Sequence, residues 1–129
     1  MSQVKENLIY SKEHEWVQVL DDDTVRIGIS DFAQDQLGEI VFLELPEVDS
    51  EVEAHTSIGS VESVKAVSDL YCPVSGVVTK VNELLVDSPE VINDDPFGEG
   101  WMFEVKLSNL DELKELLSAD QYKEFIEGE

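Results

Sequence analysis

The chain is read as predominantly β structure, on three observations. Between Leu8 and Val105, short runs rich in β-branched and aromatic residues alternate with polar ones at the two-residue period of half-buried strands. Turn-forming clusters such as Asp21-Asp22-Asp23 and Gly98-Glu99-Gly100 separate those runs. Helical spacing is confined to a short connector after Ser30 and a tail after Ser108. With 129 residues, 42% of them apolar, the chain fits one domain, and area scaling buries about two thirds of its extended surface. That core argues against wholesale disorder.

In chain order, residues 1–7 are polar and expected to fray, with order beginning at Leu8, Ile9 and Tyr10. Residues 15–20 and 24–29 alternate on either side of Asp21-Asp22-Asp23 and form a β-hairpin. The aspartates are a solvated turn, because the glycine and closing glutamate of a calcium-binding EF-hand loop do not follow. Ser30 caps a short helix through Leu37, with Asp31 near its positive end, Gly38 at C′, and Ala33 and Leu37 on the inner face. The nearly continuous apolar run Ile40-Val41-Phe42-Leu43 predicts a strand buried on both sides and ending at Pro46.

A charged turn over residues 47–53 leads to a short strand at Val52-Glu53-Ala54, and Ser57 opens the strand that rises to Val64. The return strand buries Leu70, Cys72 and Val74, alternating with Tyr71 and Pro73. Gly59 and Gly76 suit tight corners or close backbone approach. Residues 76–82 give another strand with Val77, Thr79 and Val81 on one side. Ser88-Pro89, Asp95-Pro96 and Gly98-Glu99-Gly100 make residues 87–100 a long ordered loop, and Trp101-Met102-Phe103-Glu104-Val105 is the last strand. Residues 108–127 then carry two capping-box spacings, Ser108-x-x-Asp111 and Ser118-x-x-Gln121. Leu110, Leu113 and Leu117 follow the first at helical spacing, and Tyr122, Phe125 and Ile126 the second, giving two short helices packed on the strands.

Thirty acidic against eight basic residues give a formal charge of −22. Such a surface repels phosphate backbones and anionic lipid, so nucleic acid and membrane are excluded as partners, while a basic groove on another protein is favoured. Neither an apolar run of membrane-spanning length nor a secretory leader pattern is present, and the expected location is cytoplasmic. Cys72 stands alone, which fits a reducing compartment, and its place on a strand's apolar face makes it a buried thiol. His14 and His55 lack partners at metal-ligand spacing, and no nucleophile triad or phosphate loop emerges, so independent catalysis is not expected.

One charge breaks the pattern. Of the 53 residues between Arg26 and Lys80, ten are Asp or Glu and Lys65 is the only Lys or Arg. It falls at the bend between two predicted strands, where its stem and amine would point into solvent.

Glu62-Ser63-Val64-Lys65-Ala66, followed by Ser68-Asp69 and Pro73-Val74-Ser75-Gly76, closely resembles the lipoyl-attachment segment of glycine cleavage system H proteins. Tyr10-Ser11-Lys12-Glu13-His14-Glu15-Trp16, Val25-Arg26-Ile27-Gly28-Ile29, residues 38–46 and Gly100-Trp101 also resemble blocks of that family, in family order. The resemblance implies a flattened barrel-sandwich of the lipoyl and biotinyl type, monomeric, with lipoic acid in amide linkage on Lys65. Glu62, Ser63, Val64, Ala66 and Gly76 would then serve recognition of the attachment segment. It also implies a lipoyl carrier that takes an aminomethyl group from the pyridoxal-phosphate glycine decarboxylase to the tetrahydrofolate-dependent aminomethyltransferase and is reoxidised by dihydrolipoyl dehydrogenase. A lipoyl ligase or octanoyltransferase would load it. Glu15 and Asp69 match the acids that border the cleft for the loaded arm.

Two positions depart from the family pattern: Phe32 stands where a histidine is common, and Glu13 where a small polar residue is common. A biotin carrier is disfavoured because Val64 and Ala66, not methionines, flank the lysine. Lipoyl domains of 2-oxoacid dehydrogenases usually place Asp before the lysine. A relay that donates lipoyl groups to 2-oxoacid dehydrogenase complexes is the alternative, since it also needs only a lipoylatable Lys65.

Overall fold

A computed structural model describes residues 4–128. Among the described residues, nine strands form two antiparallel sheets. The larger joins β1 (Ile9–Tyr10), β2 (Glu15–Val19), β3 (Thr24–Ile29), β9 (Phe103–Leu107), β8 (Gly76–Val81) and β5 (Glu51–Val52), in that spatial order. The smaller joins β4 (Ile40–Glu44), β6 (Ser57–Ser63) and β7 (Val67–Tyr71). Helix α1 (Asp31–Leu37) links the sheets, α2 (Leu84–Asp87) and α3 (Val91–Asp94) lie between β8 and β9, and a 3-10 helix (Leu110–Glu115) and α4 (Ala119–Glu127) close the chain. The result is the flattened β-sandwich that the family resemblance implies, built from the strands that the sequence pattern predicts.

Alternation decides what fills it. Val25 and Ile27 from β3, Val78 from β8 and Phe103 and Val105 from β9 meet Leu43, Val61 and Leu70 from the small sheet in one buried cluster, joined by Cys72 and Val74. Each such side chain contributes about 1.5–3 kcal/mol when fully buried. A second cluster seats α4. Tyr122 stacks on Tyr10 with ring centroids 4.4 Å apart, and Trp16 packs beside them while donating its indole N–H to the Pro96 carbonyl at 2.8 Å. Glycine is required at 59 and 76 for the expected reason: a Cβ at Gly59 would run into the Glu44 carbonyl, and one at Gly76 into the Lys106 carbonyl.

The caps of α1 form as expected, with Ser30 Oγ accepting from the Ala33 amide and Gly38 at φ 81° closing the helix. The second capping box is also present, Ser118 and Gln121 bonding each other's backbone amides.

Several expectations need correction. The run at residues 40–43 is not buried on both sides. A bulge sets Ile40, Val41 and Phe42 of β4 against only Ser63 and Glu62 of β6, so Ile40 and Leu43 point inward while Val41 and Phe42 are exposed. In β8 it is Val78 that enters the core, and Val77 and Thr79 face outward. The supposed loop at 87–100 contains α3, and α2 ends at its first residue; both are single turns, too short to show periodicity. The last strand begins at Phe103 instead of Trp101. Asn109, not Ser108, caps the segment after it, which is a 3-10 helix. Residues 1–3 of the expected frayed end lie outside the described residues. Within residues 4–7, the Lys5 amide donates to the Tyr10 hydroxyl at 2.8 Å, and that hydroxyl donates to the Lys5 carbonyl at 3.0 Å. No helix among the described residues is long and apolar enough to cross a membrane.

Candidate functional site

Lys65 occupies the turn between β6 and β7, where the sequence places it. The Ser63 amide donates to the Ala66 carbonyl at 2.8 Å, closing a four-residue turn. Inside it, Ser63 Oγ accepts from the amides of Lys65 at 3.3 Å and Ala66 at 3.1 Å. A serine here holds both amides while leaving the lysine side chain outside the turn. Ser63, Val64 and Ala66 therefore build the tip, and Glu62 is the last paired residue but one of β6, opposite Val67. Gly76 is elsewhere, in the larger sheet against Val52 and Leu107, where its role is close backbone packing.

The lysine is exposed and has no salt-bridge partner among the described residues. Its stem does not simply project outward. It lies across Gly38, whose Cβ, if present, would sit 3.3 Å from Lys65 Cε and 3.9 Å from Nζ. Gly38 therefore serves twice, as helix terminator and as the bare surface under the stem. Asn93 fixes this platform: its amide donates to the Gly38 carbonyl at 2.8 Å and to Gln34 Oε1 at 2.9 Å, and its Oδ1 accepts from the Ile40 amide at 2.9 Å. Val64 adds a tie from its amide to the Glu39 carbonyl at 3.0 Å. Nothing in the sequence marks Asn93, since its partners are 53 to 59 residues away.

Beside this platform lies a cleft of about 390 Å³. Phe32 and Leu37 of α1 form one wall, Val61 and Leu70 of the small sheet lie opposite, and three carboxylates, Glu13, Glu15 and Asp69, enter it. The two predicted acids thus come together from β2 and β7, and Glu13 and Phe32, also singled out in the sequence, line the same space.

The acids differ in character. Glu15 is only 2% exposed, and burial pushes its carboxyl well above the usual glutamate range, partly offset by the Ser11 hydroxyl and reinforced by the charge of Glu13. Ser11 Oγ donates to Glu15 Oε1 at 2.6 Å and accepts from the amides of Glu15 at 3.1 Å and Glu13 at 3.2 Å, so one hydroxyl orients the whole bend. Asp69 is exposed on β7, with the Tyr71 hydroxyl 3.5 Å from Oδ2. Glu13 Oε1 lies 3.1 Å from His55 Nδ1, which ties the cleft rim to the turn before β6. Cys72 is not a reacting group: burial raises its thiol to about 12. The carboxylates of Glu13 and Asp69, with the buried Glu15 carboxyl as a hydrogen-bonding group on an apolar floor, suit a cationic group shielded from water.

A flattened two-sheet sandwich that offers one lysine at a hairpin tip is the architecture of the lipoyl and biotinyl class of carrier domains. Comparison with known proteins narrows the class. The family model for the glycine cleavage H-protein matches residues 8–129. A glycine cleavage system H protein of Halalkalibacterium halodurans is 57% identical over 129 residues, covering 100% of both chains. Another, of Coprothermobacter proteolyticus, is 57% identical over 123 residues, 95% of this chain and 97% of that one. The crystal structure of the Mycobacterium marinum H protein superposes with a TM-score of 0.89 at 39% identity, covering 98% of this chain and 100% of the other. The chain belongs to the glycine cleavage H-protein family.

Proposed function

We propose that this chain carries lipoate in amide linkage on Lys65 Nζ and shuttles the aminomethyl group of glycine between enzymes. As a glycine cleavage H-protein it is a carrier component of that system. The observation that supports Lys65 as the anchor is its position: an exposed amine without a salt bridge, at a turn ordered by Ser63, beside an acidic cleft.

The residues present fit the group. An acylating enzyme can reach Nζ without first breaking an ion pair, and acylation removes a positive charge whose desolvation would otherwise oppose folding the arm back. When bound, lipoate supplies a dithiolane that opens to a dithiol and can hold a carbon fragment on one sulfur. Phe32, Leu37, Val61 and Leu70 would exclude water from what enters the cleft, while Asp69 and Glu13 attract a protonated amine and Glu15 accepts its hydrogen bond. Gly38 leaves room for the stem to swing.

The partners follow from the role. The pyridoxal-phosphate glycine decarboxylase loads the carrier, the tetrahydrofolate-dependent aminomethyltransferase unloads it, dihydrolipoyl dehydrogenase reoxidises it, and a lipoyl ligase or octanoyltransferase modifies it. A charge of −22 favours basic surfaces on each. The lone, buried Cys72 suits work in the reducing cytoplasm.

Reconstitution tests the proposal. Lipoylated protein with the three enzymes should support glycine-dependent CO₂ exchange, and Lys65→Ala protein taken through the same lipoylation step should not. Failure of lipoylated protein in exchange, with transfer of its lipoyl group to a 2-oxoacid dehydrogenase domain, would establish the relay instead.

A further inference from the structure

The small sheet's outer face carries apolar side chains that the fold does not use. Phe42, Glu62 and Val67 are register partners across β4, β6 and β7 and so share one face of the sheet. Val61 and Leu70, which line the cleft, point to the other face. Phe42 is 52% exposed and Val67 is 70% exposed; Val64 in the turn is 68% and Val41 is 49%. The β4 bulge is what turns both Val41 and Phe42 outward, since an unbroken strand would send one of two neighbours into the core. Grouped exposed apolar residues mark interaction surfaces, unlike scattered ones.

We infer that Val41, Phe42, Val64 and Val67 are the surface on which the enzyme that acylates Lys65 docks, through an apolar socket ringed by basic side chains. The inference rests on the proposed modification of Lys65. Two features select this occupant. Val64 and Val67 flank the lysine at its root, so a protein closing on them covers the backbone beside Nζ. An enzyme acting on the free amine needs that, whereas one acting at the distant end of an acyl arm does not. The rim is acidic: Glu39 precedes β4 and Glu44 ends it, Glu62 lies between Phe42 and Val67, and Lys65 is the only Lys or Arg from 27 to 79. A basic collar complements that rim and suppresses docking of this acidic chain onto a second copy of itself. Asp69, two residues beyond Val67 and paired with Ser60, lies on this same face and also lines the cleft, so the docking surface runs up to the cleft rim along β7.

The test uses the unmodified full-length chain and a purified lipoyl ligase. Phe42→Ser and Val67→Ser should each raise KM for the protein acceptor roughly tenfold, as loss of an interface anchor does, with kcat and KM for lipoate unchanged. Direct calorimetric titration of ligase with each variant should show the same weakening. Val48→Ser, at a residue exposed about as much as Phe42, 48% against 52%, but in the turn before β5 and beside Trp101, should match the unaltered chain. Melting curves confirm folding, since these positions are outside the core. Unchanged KM and affinity in both Phe42→Ser and Val67→Ser would overturn the inference, as would an equal loss in Val48→Ser. A concentration-dependent dimer abolished by Phe42→Ser would assign the face to self-association and overturn it too. If the ligase binds the chain but never modifies Lys65, the proposed attachment fails as well, so the two failures are distinguishable.

Discussion

Replacing Glu15 with Gln should stabilise the protein at neutral pH, and by an amount that grows with pH. Glu15 is buried, its Oε1 accepts one hydrogen bond from Ser11, and no basic side chain pairs with it among the described residues. Its folded carboxyl titrates well above the ordinary value of 4.5. The unfolded chain therefore releases this proton first as pH rises, and the folded state alone still binds it. Stability contributed at this position is complete below the ordinary glutamate range and declines above it, levelling off only past the raised folded value. Glutamine keeps the acceptor for Ser11 without the buried charge. The expected gain at pH 7 is about 1–3 kcal/mol, the order of the desolvation cost of a buried group whose charge no basic side chain balances, with no difference near pH 4. Given a urea dependence of roughly 1–3 kcal/mol per molar, the midpoint at pH 7 should rise by about 1 M. Urea titrations followed by the fluorescence of Trp16 and Trp101, from pH 4 to pH 8, measure this directly. The other acids are common to both proteins and cancel in the difference. A difference independent of pH, or a variant less stable throughout, would refute burial as the dominant influence on Glu15.

Further outcomes follow from the packing. With its thiol raised to about 12 and its side chain buried, Cys72 should resist a thiol-reactive disulfide reagent at pH 8, then react as one thiol per chain in urea; rapid labelling of the native protein would contradict its placement. Gly59→Ala should cost about 2–3 kcal/mol, because the new methyl group meets the Glu44 carbonyl and must force β4 from β6. A fall of roughly 10 °C in melting temperature would report it, and an unshifted transition would show that the corner tolerates a Cβ. Loss of a lipoyl-linked aminomethyl group should be faster in Asp69→Ala than in the unaltered chain, measured by mass decay after loading; equal lifetimes would remove Asp69 from the cleft's role.

Local chemistry made much of this fold legible. The β2–β3 hairpin follows from alternation about three aspartates, α1 from Ser30 and Gly38, and α4 from a capping box whose two bonds both form. What stayed hidden is nonlocal. The spatial order that places β9 between β3 and β8 depends on pairings that no period encodes. An apolar run could not reveal the extra β4 residue that turns Val41 and Phe42 to solvent, because a bulge is defined by the partner strand. Four-residue helices such as α2 and α3 are shorter than the window in which helical periodicity can be recognised. At the site, Lys65 stood out by charge alone, and Glu15 and Asp69 were picked by resemblance to family blocks. The stem's rest on Gly38 and the brace from Asn93 depend on contacts between segments distant in the chain.

The central claim is that Lys65 Nζ, presented by the β6–β7 turn, is the anchor for lipoate. Mass spectrometry of the protein purified from its native host tests it most directly, by intact mass and by fragmentation of the peptide spanning Lys65. The account predicts a single lipoyl addition mapped to Lys65, and none in a Lys65→Ala chain expressed in the same host. Native protein with a free Lys65 in cells active in glycine cleavage, or a lipoyl group found on another lysine, would contradict it.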